Sequence, residues 1–378
     1  MISITMVSNR PALLEKGLPA YVKAAEEQGA DCVFRAVMPQ AELAQATELL
    51  EKTGAQGMSE EEFREKIASF APESAFLFEG KYGGVRNIGL CLAALDNSHC
   101  VFFDDDTLPD RDCIARFDFL FKNERLIIPG AYIGRTTAVS SIVQKLELVL
   151  TAYKDGAVKR RFALEKLKEA FEGLPDEQDG LWRAGGFQGG NLGVHASAAE
   201  KYCFFPTDYR IEDGLYCNAA RFFFPNPLYD PPSDEEYGKR IPVVLHQPLG
   251  QKGAFVRNYI EGLKGVNIGA CVLRALEQPG TTENELQNQA LANRSGLLKL
   301  FLHHAFLEAA AEKGFGELIG ELGDKEVEGE YSAFLKIGEA DITVSDAVLQ
   351  VKSFFDSQRA YPKLVRRLRE ARIFKQQA

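Results

Sequence analysis

The stretch Cys100-Val-Phe-Phe-Asp-Asp-Asp-Thr-Leu-Pro-Asp110 passes within a few residues from apolar to acidic. Val101, Phe102 and Phe103 are β-prone, and the run is too short for a helix, so it reads as the end of a buried strand. Asp104, Asp105 and Asp106 sit at its tip. Buried without partners, three consecutive carboxylates would repel one another at a large cost, so they belong around a cation or in water. Side chains alternate on an extended backbone, which lets Asp104 and Asp106 share one direction while Asp105 takes the other. Such an Asp-x-Asp pair suits a hard divalent ion, Mg²⁺ or Mn²⁺, bridging carboxylates to substrate phosphates. A solvated acidic loop has the same composition, and these three residues alone do not separate the two.

Upstream, Ile2 to Val7 is strand-like and leads through Ser8-Asn9-Arg10-Pro11 into a helix over 12–28. Asp31 to Met38 reads as a second strand, 41–52 and 59–69 as helices with Ser59 as a cap, and Ala75 to Phe78 as a third strand. Gly83-Gly84-Val85-Arg86-Asn87 opens a helix that runs to Leu95 and feeds the acidic strand. Strands alternating with helices imply a mostly parallel sheet with helices on its faces. Ligands gather beyond the carboxyl ends of such strands, where Ser8 to Arg10 and Asp104 to Asp106 would share one crevice.

Downstream, 112–123 reads as a helix, 126–133 as a strand, 140–153 as a helix and 174–183 as a loop. Gly185-Gly-Phe-Gln-Gly-Gly-Asn-Leu-Gly-Val194 follows. So many glycines in a strand-like setting fit a ligand lying close against the backbone, or a set of bulges and turns. Glu212 and Asp213 begin a helix, where its dipole alone favours acids. Ile241 to His246 is a strand closing on a histidine, which is either structural or a further metal ligand. From about Gly280 the chain is helix-rich, and Lys363 to Arg372 is basic and mildly amphipathic, so it is either a solvated helix or a contact with anionic lipid or a partner.

With 378 residues, 46% hydrophobic and 26% charged, the chain has material for a large core. A formal net charge of −10 argues against nucleic-acid binding. Seven scattered cysteines with no Cys-x-x-Cys spacing suggest neither a disulfide frame nor a zinc site. The start lacks a basic leader with a long apolar core, and no later run approaches the ~20 apolar residues of a membrane span. A cytoplasmic protein is expected, with membrane contact at most peripheral, at the inner face.

In this order, the βα opening, the Gly-Gly-x-Arg-Asn helix entry, the acidic strand tip, the Gly-rich strand, the Glu-Asp pair and the later histidine resemble the GT-A-fold nucleotide-sugar glycosyltransferases. The pattern is nearest to the family-2-like group, including enzymes that glycosylate glycerate or phosphoglycerate. The resemblance implies an α/β fold, Rossmann-like, in a GT-A domain over 1–250, with a nucleotide-binding part over about 1–135 and an acceptor part over 136–250. Residues 251–378 form a helical C-terminal region outside it.

The resemblance implies a metal held by Asp104, Asp106 and His246, and a UDP- or GDP-hexose donor met by Ser8, Asn9, Arg10, Arg86, Asn87, Asp104 and Asp105. Gly189, Gly190 and Asn191 would bound the donor sugar or acceptor. Glu212 and Asp213 would be the acidic pair near the acceptor, with Asp213 as general base in an inverting reaction. The acceptor would be a sugar, a glycerate-type compound or a glycan, and a homodimer is one option. One departure concerns the nucleobase: the family commonly ends its second strand in acids that hold it, whereas Arg35-Ala-Val-Met-Pro-Gln40 has none. Two rivals share the paired acids, a nucleotidyltransferase on a similar sheet and a non-catalytic nucleotide-sugar-binding protein.

Overall fold

The computed structural model describes residues 1–110, 112–136, 152–153, 155–157, 159–171, 176–182, 189–228, 241–249, 255–302, 319–321, 323–336 and 346–374. The first strand, β1 (Ile2–Val7), is central to a six-stranded sheet. On one side lie β2 (Cys32–Met38) and β3 (Gln56–Ser59), and on the other β4 (His99–Asp104), all parallel to β1. Beyond β4 the sheet continues through β9 (Asn191–Val194) to β6 (Ile127–Pro129), with β9 antiparallel to both neighbours. Val7 pairs with both Val37 and Asp104, so β1, β2 and β4 end nearly level. That register sets Ser8 to Arg10 beside the acidic tip.

Helices cover both faces, as the alternation along β4 requires. Val101 and Phe103 face a core with Leu14, Leu18 and Tyr21 of α1 (Pro11–Glu27) and Phe117 and Phe121 of α5 (Cys113–Lys122). Cys100 and Phe102 face the opposite core, with α4 (Gly83–Leu95) and Phe63 and Ile67 of α3 (Glu60–Phe70). Between β2 and β3 runs α2 (Gln40–Thr53), closed by Gly54 in the left-handed conformation at φ 65°. Ser59 caps α3 as expected, its hydroxyl accepting the Glu62 N–H at 3.2 Å. The result is an α/β fold with a mixed, mostly parallel sheet flanked by helices, and a helical C-terminal region.

A second sheet has the order β5 (Thr107–Pro109), β10 (Val243–His246), β7 (Ala131–Thr136), β8 (Asp176–Trp182). The expected single strand over 126–133 is therefore two, divided at Gly130 between the two sheets. A Cβ at Gly130 would overlap the Asn191 amide, so the corner needs glycine. Ala75 to Phe78 is not a strand but part of a 3-10 turn, Pro72–Phe78. The expected loop over 174–183 contains β8, and the helix 140–153 lies mostly outside the described residues, as do Gly185 to Gln188. Further helices among the described residues include α6 (Arg160–Phe171), α7 (Ala196–Ala199), α8 (Glu212–Ala220), α9 (Phe255–Glu277), α10 (Glu283–Leu302), α11 (Lys325–Leu335) and α12 (Ala347–Ala371).

Two compact units emerge, one of Met1–Gly134, Gln178–Gln247 and Lys352–Ala378, the other of Arg135–Glu177 and Pro248–Val351. In the second, Asn267 on α9 donates to Ala290 O of α10 at 3.1 Å and accepts from Asn293 at 2.9 Å. In the first, α12 is a working part of the core. Tyr361, Leu364, Val365 and Leu368 are buried among the α4-side residues. Gln358 donates to Cys203 O at 2.9 Å and Tyr361 to Ala199 O at 3.0 Å. The apolar face of the basic C-terminal segment is thus already covered. None of the seven cysteines forms a disulfide, and among the described residues no helix is long and apolar enough to cross a membrane.

Truncating a buried leucine leaves a cavity as well as lost burial. Leu368→Ala should therefore lower unfolding stability by about 2–5 kcal/mol. Chemical denaturation followed by circular dichroism measures it, and a loss near zero would mean α12 is not part of the core.

Candidate active site

Asp104 is the last residue of β4, and the turn after it is fastened from below. Thr107 Oγ1 donates to Asp104 O at 2.7 Å and accepts from the Tyr21 hydroxyl at 2.8 Å. The Tyr21 ring in turn stacks on Phe103, 4.1 Å between centroids. Antiparallel pairing of β10 with β5 sets His246 opposite Thr107, next to Asp106. The histidine thus reaches the tip by strand register across more than a hundred residues of sequence.

Asp104 ends β4, but Asp105 and Asp106 form a turn rather than extended chain, and the three carboxylates have three different sets of partners. Asp105 is 2% exposed and turns to the first loop, accepting from Ser8 Oγ, from Arg10 Nε at 3.1 Å and from Arg10 Nη2. Ser8 Oγ also accepts the Arg10 N–H at 2.9 Å, so Ser8, Arg10 and Asp105 form one closed network. Asp106, 11% exposed, has Oδ1 3.5 Å from His246 Nε2 and Oδ2 3.4 Å from Arg10 Nη2. Asp104 is the most accessible at 36%, with Oδ1 3.4 Å from Arg86 Nη2. Although that side chain is about a third exposed, hydration lost to the groups packed around it, with Asp106 nearby, raises the Asp104 carboxyl above its ordinary range despite Arg86. Burial also opposes the charge on Asp106, yet His246 and Arg10 outweigh it and hold that carboxyl below its ordinary range.

Arg86 is the hub of the other half. Its Nη1 donates to Gly189 O at 2.8 Å, and its Nε lies 3.4 Å from Glu212 Oε1. Burial works against its charge, but Asp104, Glu212 and Asp213 surround it and hold the guanidinium above its ordinary pKa. Asp213 Oδ2 accepts the Gly189 N–H at 2.8 Å and Oδ1 accepts the Gly214 N–H at 2.6 Å. Burial, with Asp213 adjoining, lifts the Glu212 carboxyl from 4.5 to about 7.

The glycines of this half are crowded by the protein itself. A Cβ at Gly190 would overlap the Asp104 carboxylate, and one at Gly189 would lie 2.7 Å from Arg86 Nη2. The protein's own ionised side chains press on this backbone. Gly83 and Gly84 are similar, since a Cβ on either would overlap the carbonyl of Phe205 or Glu79.

Two expected donor contacts need correction. Asn87 is wholly buried, and its amide donates to Leu77 O at 2.8 Å and Phe204 O at 3.0 Å and accepts the Phe204 N–H at 2.8 Å. It joins α4 to the chain before α8 and presents nothing to a ligand. Asn191, also wholly buried, donates to Ala131 O at 2.8 Å and Pro242 O at 3.1 Å, tying the two sheets together.

Beside the tip opens a cleft of about 680 Å³, whose lining includes Ser8, Asn9, Arg10 and Asp105. It also takes in Glu60, Arg64, Lys81, Tyr82 and Asp208, which the sequence reading passed over. Glu60 to Glu62 were visible only as the acidic first turn of α3. Their place at the end of β3, itself unrecognised, is what puts Glu60 at the cleft.

For a divalent ion, Asp106 and His246 offer a hard oxygen and an imidazole nitrogen, a donor set that Mn²⁺ accepts. Among the described residues, no group of three or more His, Cys, Asp or Glu stands gathered to hold a metal. The expected trio is thus the Asp106–His246 pair with Asp104 engaged by Arg86. Mg²⁺ and Mn²⁺ commonly take only one or two protein carboxylates and complete their shell with water and substrate phosphates, so the pair fits such an ion.

No family model and no curated protein matches the chain. Among solved structures, the chain is similar to "Mannosyltransferase PcManGT from Pyrobaculum calidifontis in complex with GDP-Man and Mn2+" over 94% of this chain and 87% of that one, at 14% identity and a TM-score of 0.43. So distant a likeness carries no weight here, and the site stands on its own geometry.

The folded protein holds the Glu212 proton more tightly than the unfolded chain does. The stability from this group is therefore full below about pH 4.5 and is lost as pH rises through about 7. Glu212→Gln should flatten that decline, so that the variant melts above the parent at pH 8 and close to it at pH 4. Melting temperatures taken across this range test it, and parallel curves would contradict it.

Proposed function

We propose that the chain is a metal-dependent glycosyltransferase, moving a hexose from a nucleoside-diphosphate sugar to an acceptor hydroxyl. The observation that carries the reading is the tip of β4. There a partly exposed carboxylate, Asp104, lies next to a largely buried Asp–His pair, while the third acid is met by Arg10 and Ser8 beside a cleft at the strand ends. This arrangement suits a ligand with a phosphate-bound cation at one end and a nucleoside at the other.

In this reading Asp106 and His246 hold the ion, with Asp104 close by. A bound Mn²⁺ or Mg²⁺ supplies positive charge across the diphosphate as the glycosyl bond breaks. Ser8, Asn9 and Arg10 line the nucleoside side. Asn87 and Asn191 act by holding α4 and the two sheets. Gly189 and Gly190 keep the floor of the site low enough for Arg86 and Asp104 to lie on it. The acceptor, whether sugar, glycerate-type compound or glycan, would approach Glu212 and Asp213.

Asp213 is the proposed base. Both of its oxygens accept backbone N–H groups, so taking the acceptor proton requires one of those bonds to yield. Glu212 is nearer neutrality in its titration, but it is buried and turned to Arg86. In-line attack assisted by Asp213 inverts the anomeric centre, and a general base contributes roughly 10²- to 10⁴-fold.

Incubation with a panel of nucleotide sugars and Mn²⁺, following nucleoside diphosphate release, tests the activity. Pyrophosphate release instead would identify a nucleotidyltransferase, and silence a binding protein. Asp106→Ala should weaken metal-dependent donor binding at least tenfold while leaving the melting temperature of the ligand-free protein near that of the parent. Calorimetry showing unchanged donor affinity with metal would remove Asp106 from the site.

Asp213→Asn should leave donor binding intact and slow transfer at least a hundredfold. Near-normal turnover of that variant would assign the proton to another group, and the anomer seen by NMR would report the stereochemistry.

A further inference from the structure

The second strand ends without an acid, so a nucleobase in this cleft must be read by residues from elsewhere. Besides Asp105, which Arg10 and Ser8 engage, the cleft supplies three carboxylates, of Glu60, Glu79 and Asp208. Asp208 already accepts the Lys81 N–H at 3.0 Å, and Glu79 is exposed. Glu60 differs from both. Its side chain is only 14% exposed, and Arg64 Nη2 donates to its Oε2 at 2.9 Å. Arg64 is fixed in turn, its Nε donating to Phe78 O at 2.8 Å, while its Nη1 takes part in neither bond. The cleft wall therefore holds a rigid carboxylate with a rigid guanidinium beside it.

Each base presents a different edge to such a pair. Guanine offers two adjacent donors, N1–H and the exocyclic N2–H₂, that a single carboxylate accepts together, and its O6 and N7 acceptors suit a guanidinium. Uracil offers one donor flanked by two carbonyl oxygens that a carboxylate repels. Adenine offers its amino group next to an acceptor nitrogen, and cytosine does the same. A site built to pair with a ligand donor rejects analogues that lack it, because its own polar groups are then left unmatched.

We infer that Glu60, positioned by Arg64, is the base-reading residue of this cleft, and that it selects a guanine nucleoside diphosphate. The inference rests on the nucleotide-sugar reading of the site and adds the base to it. Lys81 and Tyr82 line the same cleft, so the base has a cation and an aromatic ring within its walls.

Calorimetric titration of the full chain with GDP, UDP, ADP and CDP, each with Mn²⁺, tests it. GDP should bind at least tenfold more tightly than the other three. Glu60→Gln replaces one acceptor with a donor that opposes guanine N1–H, and should bring the GDP-to-UDP affinity ratio to within about twofold of unity. Glu79→Gln should leave the ratio unchanged. The melting temperature of each ligand-free variant establishes that it is folded, and Glu60→Asp, which keeps the carboxylate, should retain part of the preference.

Equal or tighter binding of another base, or a guanine preference that survives Glu60→Gln, would overturn the inference. If UDP, ADP or CDP binds best and its sugar is turned over, the base assignment fails and the transferase reading stands. If none of the four binds, both fail.

Discussion

A carboxylate with almost no access to water, next to two others, is the constraint around which this molecule is arranged. Asp105 is tolerable at the end of β4 because Arg10 and Ser8 meet it from β1's loop, and they do so because β1 and β4 end in register. Arg10 is itself 39% exposed, so water screens part of this pair, and breaking it costs less than the about 3–5 kcal/mol of a fully buried one. The first loop is therefore held to the acidic tip by electrostatics as well as by chain connectivity. With Asp105 neutralised, Asp104 and Asp106 are the acids left to meet a cation.

Those two acids are not equivalent, and their difference follows from what lies opposite. Asp104 has Arg86 at 3.4 Å across a floor of glycines, while Asp106 has a histidine delivered by a strand of the second sheet. One site is thus assembled from both sheets, with Asn191 bonding to the chain at the entry of β7 and just before β10. Glu212 and Asp213, at the start of α8, extend the same network through Arg86 and Gly189. Two cations are set among the acids of this path, Arg10 beside Asp105 and Asp106 and Arg86 beside Asp104 and Glu212, which lets so many ionised groups share a small volume.

Much of this was legible in the residues. Short β-prone apolar runs marked β1 and β4, the abrupt change at Asp104 marked the tip, and a strand closing on His246 marked the route by which a nitrogen reaches it. What escaped the sequence depended on tertiary approach. Gly130 breaks one apolar run into strands of different sheets because the Asn191 side chain occupies the space where a Cβ would go. Asn87 was expected at a ligand only through the resemblance carried by the Arg-Asn helix entry; its partners are carbonyls more than a hundred residues away and ten residues away. The cleft acids lay hidden because Gln56–Ser59 is a four-residue edge strand with little apolar pattern, and without it Glu60 reads only as a favourable first-turn acid. The crowded glycines showed that something pressed on the backbone, and composition does not say whether that is a ligand or the protein itself.

The placement of α12 has a consequence for biosynthesis. Its buried side chains complete a core whose other members are finished by the time the ribosome reaches Gln247, yet residues 248–351 must be made before α12 emerges. At roughly 5–20 residues per second, that interval is on the order of 5–20 s. Throughout it the apolar wall formed by α4 and the segment around Cys203 lacks its cover. That wall stays uncovered until α12 docks, so the unit that carries the candidate site consolidates late, only after the second unit has been made.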